Sequence, residues 1–433
     1  MECGVPEGME CQAEGKAQGG GKKMAKGMDT LDGKPASVGR REFCRTLAAA
    51  AVVAEFPAWG GQVASRKGED YRLVADTDRR RIFAAASSYL KLPILTITSF
   101  PSERSPGGLH DYFSQADYFW PDPKNPDGPY VNRDGQSNPD NFNGHRKAMI
   151  ALSIQMPALT AAWVLTGDRI YGQRAADHLR AWFLTPATRM NPSLEFAQGV
   201  HGASKGRSYG IIDTLHLVEV ARAAGFVAPV MLSGEESAGL KDWFRSYLEW
   251  IKSSDNGKKE RDALNNHATC WALQASEFAR LIEDSETREQ VYSEYTTVLL
   301  PNQLAANGSF PQELERTKPY GYSIFNFDVM ATLCQSLKGV GSNAFSLQLP
   351  DGGGICKAAE FLYPYLKDKS AWPYRKDLEH FDSWPVRSPG LLFTGLACRR
   401  PAYLDLWKTL NPDPTDAEII RNYPIRQPLL WVG

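Results

Sequence analysis

Three polar side chains, Asn265, Asn266 and His267, stand immediately ahead of a run in which Trp271, Ala275, Phe278 and Ile282 recur at three- and four-residue spacing. That spacing predicts an amphipathic helix beginning at or just after the asparagines. Asn is a favoured N-cap, so the stretch reads first as a capped helix. The second reading is an anion site, because a helix start offers unpaired N–H groups and the positive end of the dipole, here beside an amide and an imidazole. A carboxylate is the anion such a set would hold.

The elements that must position these residues are helices. From Arg146 onward, amphipathic segments are expected at roughly 146–166, 168–184, 207–224, 235–254, 266–284, 286–306 and 323–338, with shorter ones near 354–367 and 390–410. Strand-like alternation is nearly absent. Short connections make successive helices antiparallel, and such a series closes as an all-α fold, an incomplete α/α toroid of about six to seven helical hairpins with no separate β domain. If every second helix runs the same way, the segments starting near 146, 207, 266 and 323 have their N-termini at one rim. The loops before them hold Asn141, Asn143 and His145; Gln198, His201, Lys205 and Arg207; Asn266 and His267; and Arg316, Lys318, Tyr320 and Tyr322. The opposite rim, with turns such as Thr166-Gly167-Asp168, carries little chemistry.

Composition narrows the partners. With 433 residues, 42% hydrophobic, the chain can bury a large core. A formal net charge of −1 gives no global field for nucleic acid. No apolar run reads as the roughly 18 residues of a bilayer span, so no membrane is expected for the mature form. The seven cysteines include no C-x-x-C pair, which argues against zinc and iron–sulfur chemistry. Residues 1–65 read as a Gly- and Lys-rich leader followed by Arg40-Arg41 and a mildly apolar run, which resembles a twin-arginine export signal. The toroid is then expected over 66–433, and the protein to be periplasmic or secreted. Within it, the loop 110–145 is rich in Pro, Gly, Asn and Asp yet carries Tyr112, Phe113, Tyr118, Phe119 and Trp120. A loop of this length is usually functional. Tyr118 and Trp120 suit stacking on the apolar face of a pyranose, while the aromatics serve equally as plugs for the core. The Lys258-Lys259-Glu260-Arg261 run reads as a solvated turn, and His178 and His216 read as packing residues.

Nucleotide, hydride, zinc-hydrolase and serine-esterase motifs are all missing. A rim of Asn, His, Arg and Tyr fits β-elimination at a uronic acid instead. There the carboxylate next to the C5 proton must be neutralised, which Asn266 and His267 can do. A tyrosine near a cation can take the C5 proton and return it to the departing O4. Two other readings remain open: a glycoside hydrolase using an acid pair such as Asp213 with Glu313, and a glycan-binding protein without catalysis.

Asn265-Asn266-His267 opening a helix is followed by Asn307-Gly308-Ser309-Phe310-Pro311-Gln312-Glu313, then Arg316 to Tyr322 and Phe325-Asn326-Phe327. This series resembles the alginate lyase superfamily of polysaccharide lyases. Asp117-Tyr118-Phe119-Trp120-Pro121-Asp122-Pro123 and Gly210-Ile211-Ile212-Asp213-Thr214 are similar to segments of its glucuronan-cleaving branch. The resemblance spans roughly Asp111 to Leu337. It implies an α/α toroid and elimination without metal or cofactor on a polyuronate, glucuronan or mannuronate-rich alginate. By position it implies Asn266, His267, Arg316 and Tyr322 as the catalytic set. Where the better-known alginate lyases carry a His-rich run around that tyrosine, this chain has Pro319-Tyr320-Gly321-Tyr322-Ser323-Ile324, so Tyr320 competes with Tyr322 as the base. Tyr118, Trp120, Asn143, His145, Gln198, His201, Arg207, Asn265 and Tyr320 are the expected substrate contacts.

Overall fold

The structure, a computed structural model, describes residues 68–432. The leader with Arg40-Arg41, and Cys3, Cys11 and Cys44, lie outside the described residues. In chain order the helices are α1 (Glu69–Tyr89), α2 (Gly144–Thr166), α3 (Arg169–Leu179), α4 (Leu217–Met231), α5 (Gly234–Ser253), α6 (Asp255–Arg261), α7 (Asn266–Ile282), α8 (Ser285–Glu294), α9 (Leu300–Gln303), α10 (Pro311–Leu314), α11 (Pro319–Ser336), α12 (Ile355–Lys367), α13 (Pro389–Ala397), α14 (Pro401–Thr409) and α15 (Ala417–Arg421). Their ends follow local chemistry. Gly167 takes the left-handed conformation that stops α2, Asp168 caps α3 through the Ile170 N–H, and a Ser233/Glu236 capping box opens α5.

An inner row runs α2, α4, α7, α11, α13, each helix packing on the next. The intervening helices form the outer layer, α1 and α3 against α2, α5 and α8 against α7, and α12 against α11 and α13. This is the two-layered all-α toroid that the helix alternation predicts. Every residue of α11 from Pro319 to Ser336 is buried, as a helix enclosed on all sides must be.

Several boundaries differ from the sequence reading. A stretch of 3₁₀ helix over Ser208–His216 leads into α4, so the expected 207–224 segment shifts to 217–231. Pro319 starts α11 four residues earlier than Ser323, since proline is preorganised for a first helical position. The 390–410 segment splits into α13 and α14 at Arg399, whose φ is +55°, beside the disulfide Cys356–Cys398. Two short sheets are additions: β1 (Phe113–Gln115) with β4 (Phe196–Gly199), parallel, and β2 (Phe119–Trp120) with β3 (Val131–Asn132), antiparallel. Contrary to expectation, α2 is long and apolar enough to cross a bilayer. It is 61% buried over that window and carries the buried Arg146, so it serves as a core helix.

The last residues form a buried strap tied to the inner row by one carboxylate. Glu219 on α4 accepts the Arg426 and Gln427 N–H groups, each at 2.8 Å, and the Trp431 indole N–H at 3.3 Å. Burial pushes its pKa up to about 7 from 4.5, against the pull of these donors. A raised carboxyl pKa means that the folded state holds the proton more tightly, so this site's contribution is largest below the unfolded value and declines as pH rises towards 7. Glu219→Ala should lower stability by about 1–3 kcal/mol by leaving buried donors unpaired. Denaturant titration across that window should find the parent's decline reduced in the variant.

Candidate active site

The N-terminal ends of α2, the 3₁₀ lead to α4, α7 and α11 meet around one cavity of about 420 Å³. Of the sequence candidates it gathers Asn265, Asn266, His267, Arg316, Tyr322, Tyr118, Gln198 and Arg207. The long loop supplies one wall through Asp117, Tyr118, Phe119, Asn132 and Asp134.

Asn265 caps α7 by accepting the His267 N–H at 3.2 Å, as the capping reading expects, and the same stretch lines the cavity. Asn266 is buried, and Glu313 on α10 receives both its backbone N–H and its side-chain Nδ2, each at 2.8 Å. That pairing fixes the amide and leaves one Nδ2 proton uncommitted. Burial raises the Glu313 carboxyl, and the two Asn266 donors and Arg316 oppose that rise. His267 donates from Nδ1 to Glu260 Oε1 at 2.6 Å, which sets its orientation and leaves Nε2 as the open ring nitrogen. Glu260 is 1% exposed. The charged run expected to be a solvated turn is instead α6, with its glutamate turned inward beneath His267.

Tyr322 is 8% exposed, and its hydroxyl lies 3.0 Å from that of Tyr118. Arg316 lies over its ring, Cζ 4.7 Å from the centroid. Burial pushes the phenol well above its ordinary pKa, and Arg316 and the Tyr118 hydrogen bond pull the other way. Arg316 is shared: Asp134 on the loop accepts from its Nη2 at 2.8 Å and also takes the Thr317 hydroxyl at 2.9 Å.

Arg207 is different from the other cations. Its guanidinium faces the rings of Phe119 and Tyr209 at 4.7 and 5.0 Å and donates to Gln198 Oε1 at 3.0 Å, and among the described residues no carboxylate forms a salt bridge with it. Burial lowers its pKa. By contrast Arg146 is paired with Asp117 at 2.5 Å and Asp213 at 3.1 Å.

Five candidates fall elsewhere. Tyr320 is fully buried, packs on Trp372 and Phe381, and gives its hydroxyl to the Tyr365 carbonyl at 2.9 Å. It therefore cannot compete for the cavity. His145 accepts the Phe113 N–H and donates to the Phe100 carbonyl, both at 2.9 Å, and burial lowers it to about 4, so it is a neutral loop anchor. Trp120 gives its indole N–H to Gln136 O and sits under Arg133. Asn143 precedes α2 without a side-chain cap, and His201 lines a separate groove with Tyr130 and Lys205. His178 is buried as expected, yet neither ring nitrogen has a hydrogen-bond partner among the described residues. Asp117, Asp134, Tyr209, Arg421 and Asn422 also line the cavity without having been singled out. The Asp117-Tyr118 pair sits in a motif the sequence does flag, whereas Arg421 has no local signal.

Asp213 and Glu313 do not form the acid pair of a hydrolase. Asp213 accepts from Tyr112, Ser114, Gln198 and Arg146. Burial alone would raise its pKa, but Arg146 and these donors outweigh it and hold it low. Glu313 is committed to Asn266, outside the cavity lining. Neither carboxyl is placed to give or take a proton at a glycosidic bond.

The sequence model of the family described as "Alginate lyase" matches residues 96–372. A crystal structure of an alginate lyase from Bacteroides ovatus is similar at 28% identity and a TM-score of 0.71, covering 84% of this chain and 97% of that one. Alginate lyase A1-III from Sphingomonas species A1 is similar in fold at 14% identity and a TM-score of 0.52, covering 81% and 94%. The same lyase complexed with a tetrasaccharide gives a TM-score of 0.53. No curated protein matches the chain.

The buried Arg146 pairs make a direct prediction. Asp213→Asn should destabilise the fold by about 3–5 kcal/mol, because it leaves part of a buried guanidinium unpaired. The parent carboxyl titrates below its unfolded value, so its contribution is present above about pH 4 and is lost as pH falls through the folded pKa. Urea unfolding of both proteins should show a gap that narrows in acid; a constant gap would contradict the assignment.

Proposed function

The chain belongs to the alginate lyase family and is a polysaccharide lyase; from that premise we propose that it cleaves a β-1,4-linked polyuronate, glucuronan or mannuronate-rich alginate, by syn β-elimination through Tyr322. The observation that carries this reading is the meeting, in one cavity, of Tyr322 under Arg316 with the Asn266 and His267 start of α7. Asn266, through its uncommitted Nδ2 proton, and His267, through Nε2, receive the substrate carboxylate and offset the charge that develops as C5 loses its proton. Arg207 contacts a second carboxylate along the polymer. Tyr322 as phenolate takes the C5 proton, the C4=C5 bond forms as the C4–O4 bond breaks, and the same hydroxyl returns the proton to O4. The phenolate is thereby regenerated. On β-linked D-mannuronate and D-glucuronate both events lie on one face of the ring, which suits a single residue.

A second assignment of roles has its own support. The Tyr322 phenol is raised by burial and thus ready to act as an acid, while His267 keeps Nε2 open with Glu260 behind it. His267 as base and Tyr322 as acid would suit L-guluronate, where the C5 proton and O4 lie on opposite faces.

We also propose that the protein is exported. The disulfide Cys356–Cys398 is of the kind that persists in oxidising compartments, and the twin-arginine-like segment is the expected route.

Glucuronan, polymannuronate and polyguluronate, each incubated with the protein, should be told apart by the ultraviolet absorbance of the unsaturated end, with one of the first two cleaved fastest. Tyr322→Phe should lower kcat about 100-fold to 10,000-fold, while Tyr320→Phe leaves it near the parent's. Preferred cleavage of polyguluronate, lost in His267→Gln, would transfer the base to His267. New reducing ends without the absorbance would refute elimination.

A further inference from the structure

The family match ends at residue 372, yet the wall behind Tyr322 is completed from beyond it. The short helix α15 sends Glu418 and Arg421 to the hydroxyl of Tyr118, which in turn touches that of Tyr322. Tyr118 donates to Glu418 Oε1 at 3.1 Å, and Arg421 Nη2 donates to the Tyr118 oxygen at 2.9 Å. Glu418 is 7% exposed and is held by Lys318 Nζ at 3.0 Å and Arg421 Nη2 at 2.7 Å. Arg421 also pairs with Asp117, the residue before Tyr118. Asp416 caps α15 at the Glu418 N–H and is itself braced by His380 Nδ1 at 2.8 Å and the Ser383 hydroxyl at 2.7 Å.

Counting protons around Tyr118 gives the consequence. A phenol has one hydrogen to give and two lone pairs to accept with. A carboxylate can only accept and a guanidinium can only donate, so the Tyr118 hydrogen goes to Glu418 and one lone pair goes to Arg421. The remaining lone pair is left for the Tyr322 hydrogen. When Tyr322 is a phenolate, it too can only accept, and it then competes with Glu418 for the single Tyr118 hydrogen.

We propose that α15 is part of the active site, with Glu418 and Arg421 as positioning residues that hold the Tyr118 hydroxyl on Tyr322 and contest the proton it carries. This rests on the reading of Tyr322 as the proton-exchanging group. The charged and titratable groups facing Tyr322 are Arg316 and Asp134 on one side, and Tyr118, Glu418 and Arg421 on the other. Glu418 is faced by Arg421, Lys318 and His380. Against its burial, Arg421 and Lys318 hold Glu418 down to about 2, so it remains an anion throughout the working range. As a fixed negative charge it opposes ionisation of Tyr322, whereas the Tyr118 hydroxyl favours it.

The two partners therefore act with opposite sign, which separates this role from simple support of the fold. Glu418→Gln should move the rising limb of kcat/KM against pH to lower pH by about one unit. Tyr118→Phe should move it to higher pH. Limbs that stay in place, or that move in the same direction in both variants, would overturn the proposal. Should Glu418→Gln fail to fold, Tyr118→Phe alone decides, an unmoved limb counting against. A second measurement needs no turnover. In protein labelled at tyrosine Cζ, the resonance lost in Tyr322→Phe identifies Tyr322, and its ionisation should begin at lower pH in Glu418→Gln and at higher pH in Tyr118→Phe. Opposite shifts in the resonance without any unsaturated product would sink the lyase reading and leave the positioning role standing; an unmoved resonance in an active enzyme would do the reverse.

Discussion

The buried guanidinium of Arg146 is the constraint on which the site depends. A charge taken out of water is tolerated only when paired and hydrogen-bonded, and Arg146, 4% exposed, takes both of its carboxylates from other parts of the chain. Asp213 comes from the 3₁₀ lead to α4 and Asp117 from the long loop. Asp117 then pairs with Arg421 on α15. One buried ion thus fixes the first turn of α2 against the loop, the next inner helix and the C-terminal segment. The remaining lone pairs of Asp213 are used by Tyr112, Ser114 and Gln198, so the network closes without an unsatisfied carboxylate oxygen. Tyr118 and Phe119 follow Asp117 directly, and their positions in the cavity wall descend from that anchoring.

How much of this is legible in the sequence depends on the length of the pattern. Long helices announce themselves through several turns of apolar spacing, and the rule that alternate helices share a rim needs nothing more than their count. It brings Asn266, His267, Arg316 and Tyr322 to one end without any tertiary information. What is lost is rotation about a helix axis. Residues two apart on a helix differ by about 200°, so Tyr320 and Tyr322 must face opposite sides, and only the start at Pro319 decides that both lie within the helix. His145 and Arg146 differ by about 100°; the first turns to backbone partners in the loop, the second to the buried carboxylates. Glu260 was missed because α6 is seven residues long, too short for a period to stand out from its charges. Arg421 and Glu418 were missed for a different reason: their partners lie some 300 residues away in sequence, and no local spacing encodes such a meeting.

The rings of the aromatic loop divide between the core and the cavity wall. Tyr112 and Phe113 are buried, the first hydrogen-bonded to Asp213 and the second stacked on Phe142 at 5.5 Å. Tyr118 and Phe119 line the cavity. The short pairing of β1 with β4 and of β2 with β3 explains the division, since it fixes the backbone between the two pairs and lets the buried rings hold those that face the cavity.

Several acids stand in and around the cavity wall. Each is already spent on a cation: Asp134 on Arg316, Asp117 and Asp213 on Arg146, Glu418 on Lys318 and Arg421. Prearranged pairs cost little when substrate arrives, but they also offer it little net charge. Arg207 is the exception. Gln198, which accepts from it, holds a φ of +49°, a conformation that a non-glycine residue keeps only when its surroundings over-determine it. Ser114 receives the Gln198 N–H and Asp213 its side-chain amide, so the same network that buries Arg146 also holds the acceptor that aims Arg207. Two rings flank that guanidinium, and among the described residues no carboxylate forms a salt bridge with it. The buried pairs and this arginine are then two ends of one network: the acids around the cavity are occupied by other cations, and the acceptor that orients Arg207 is a neutral amide.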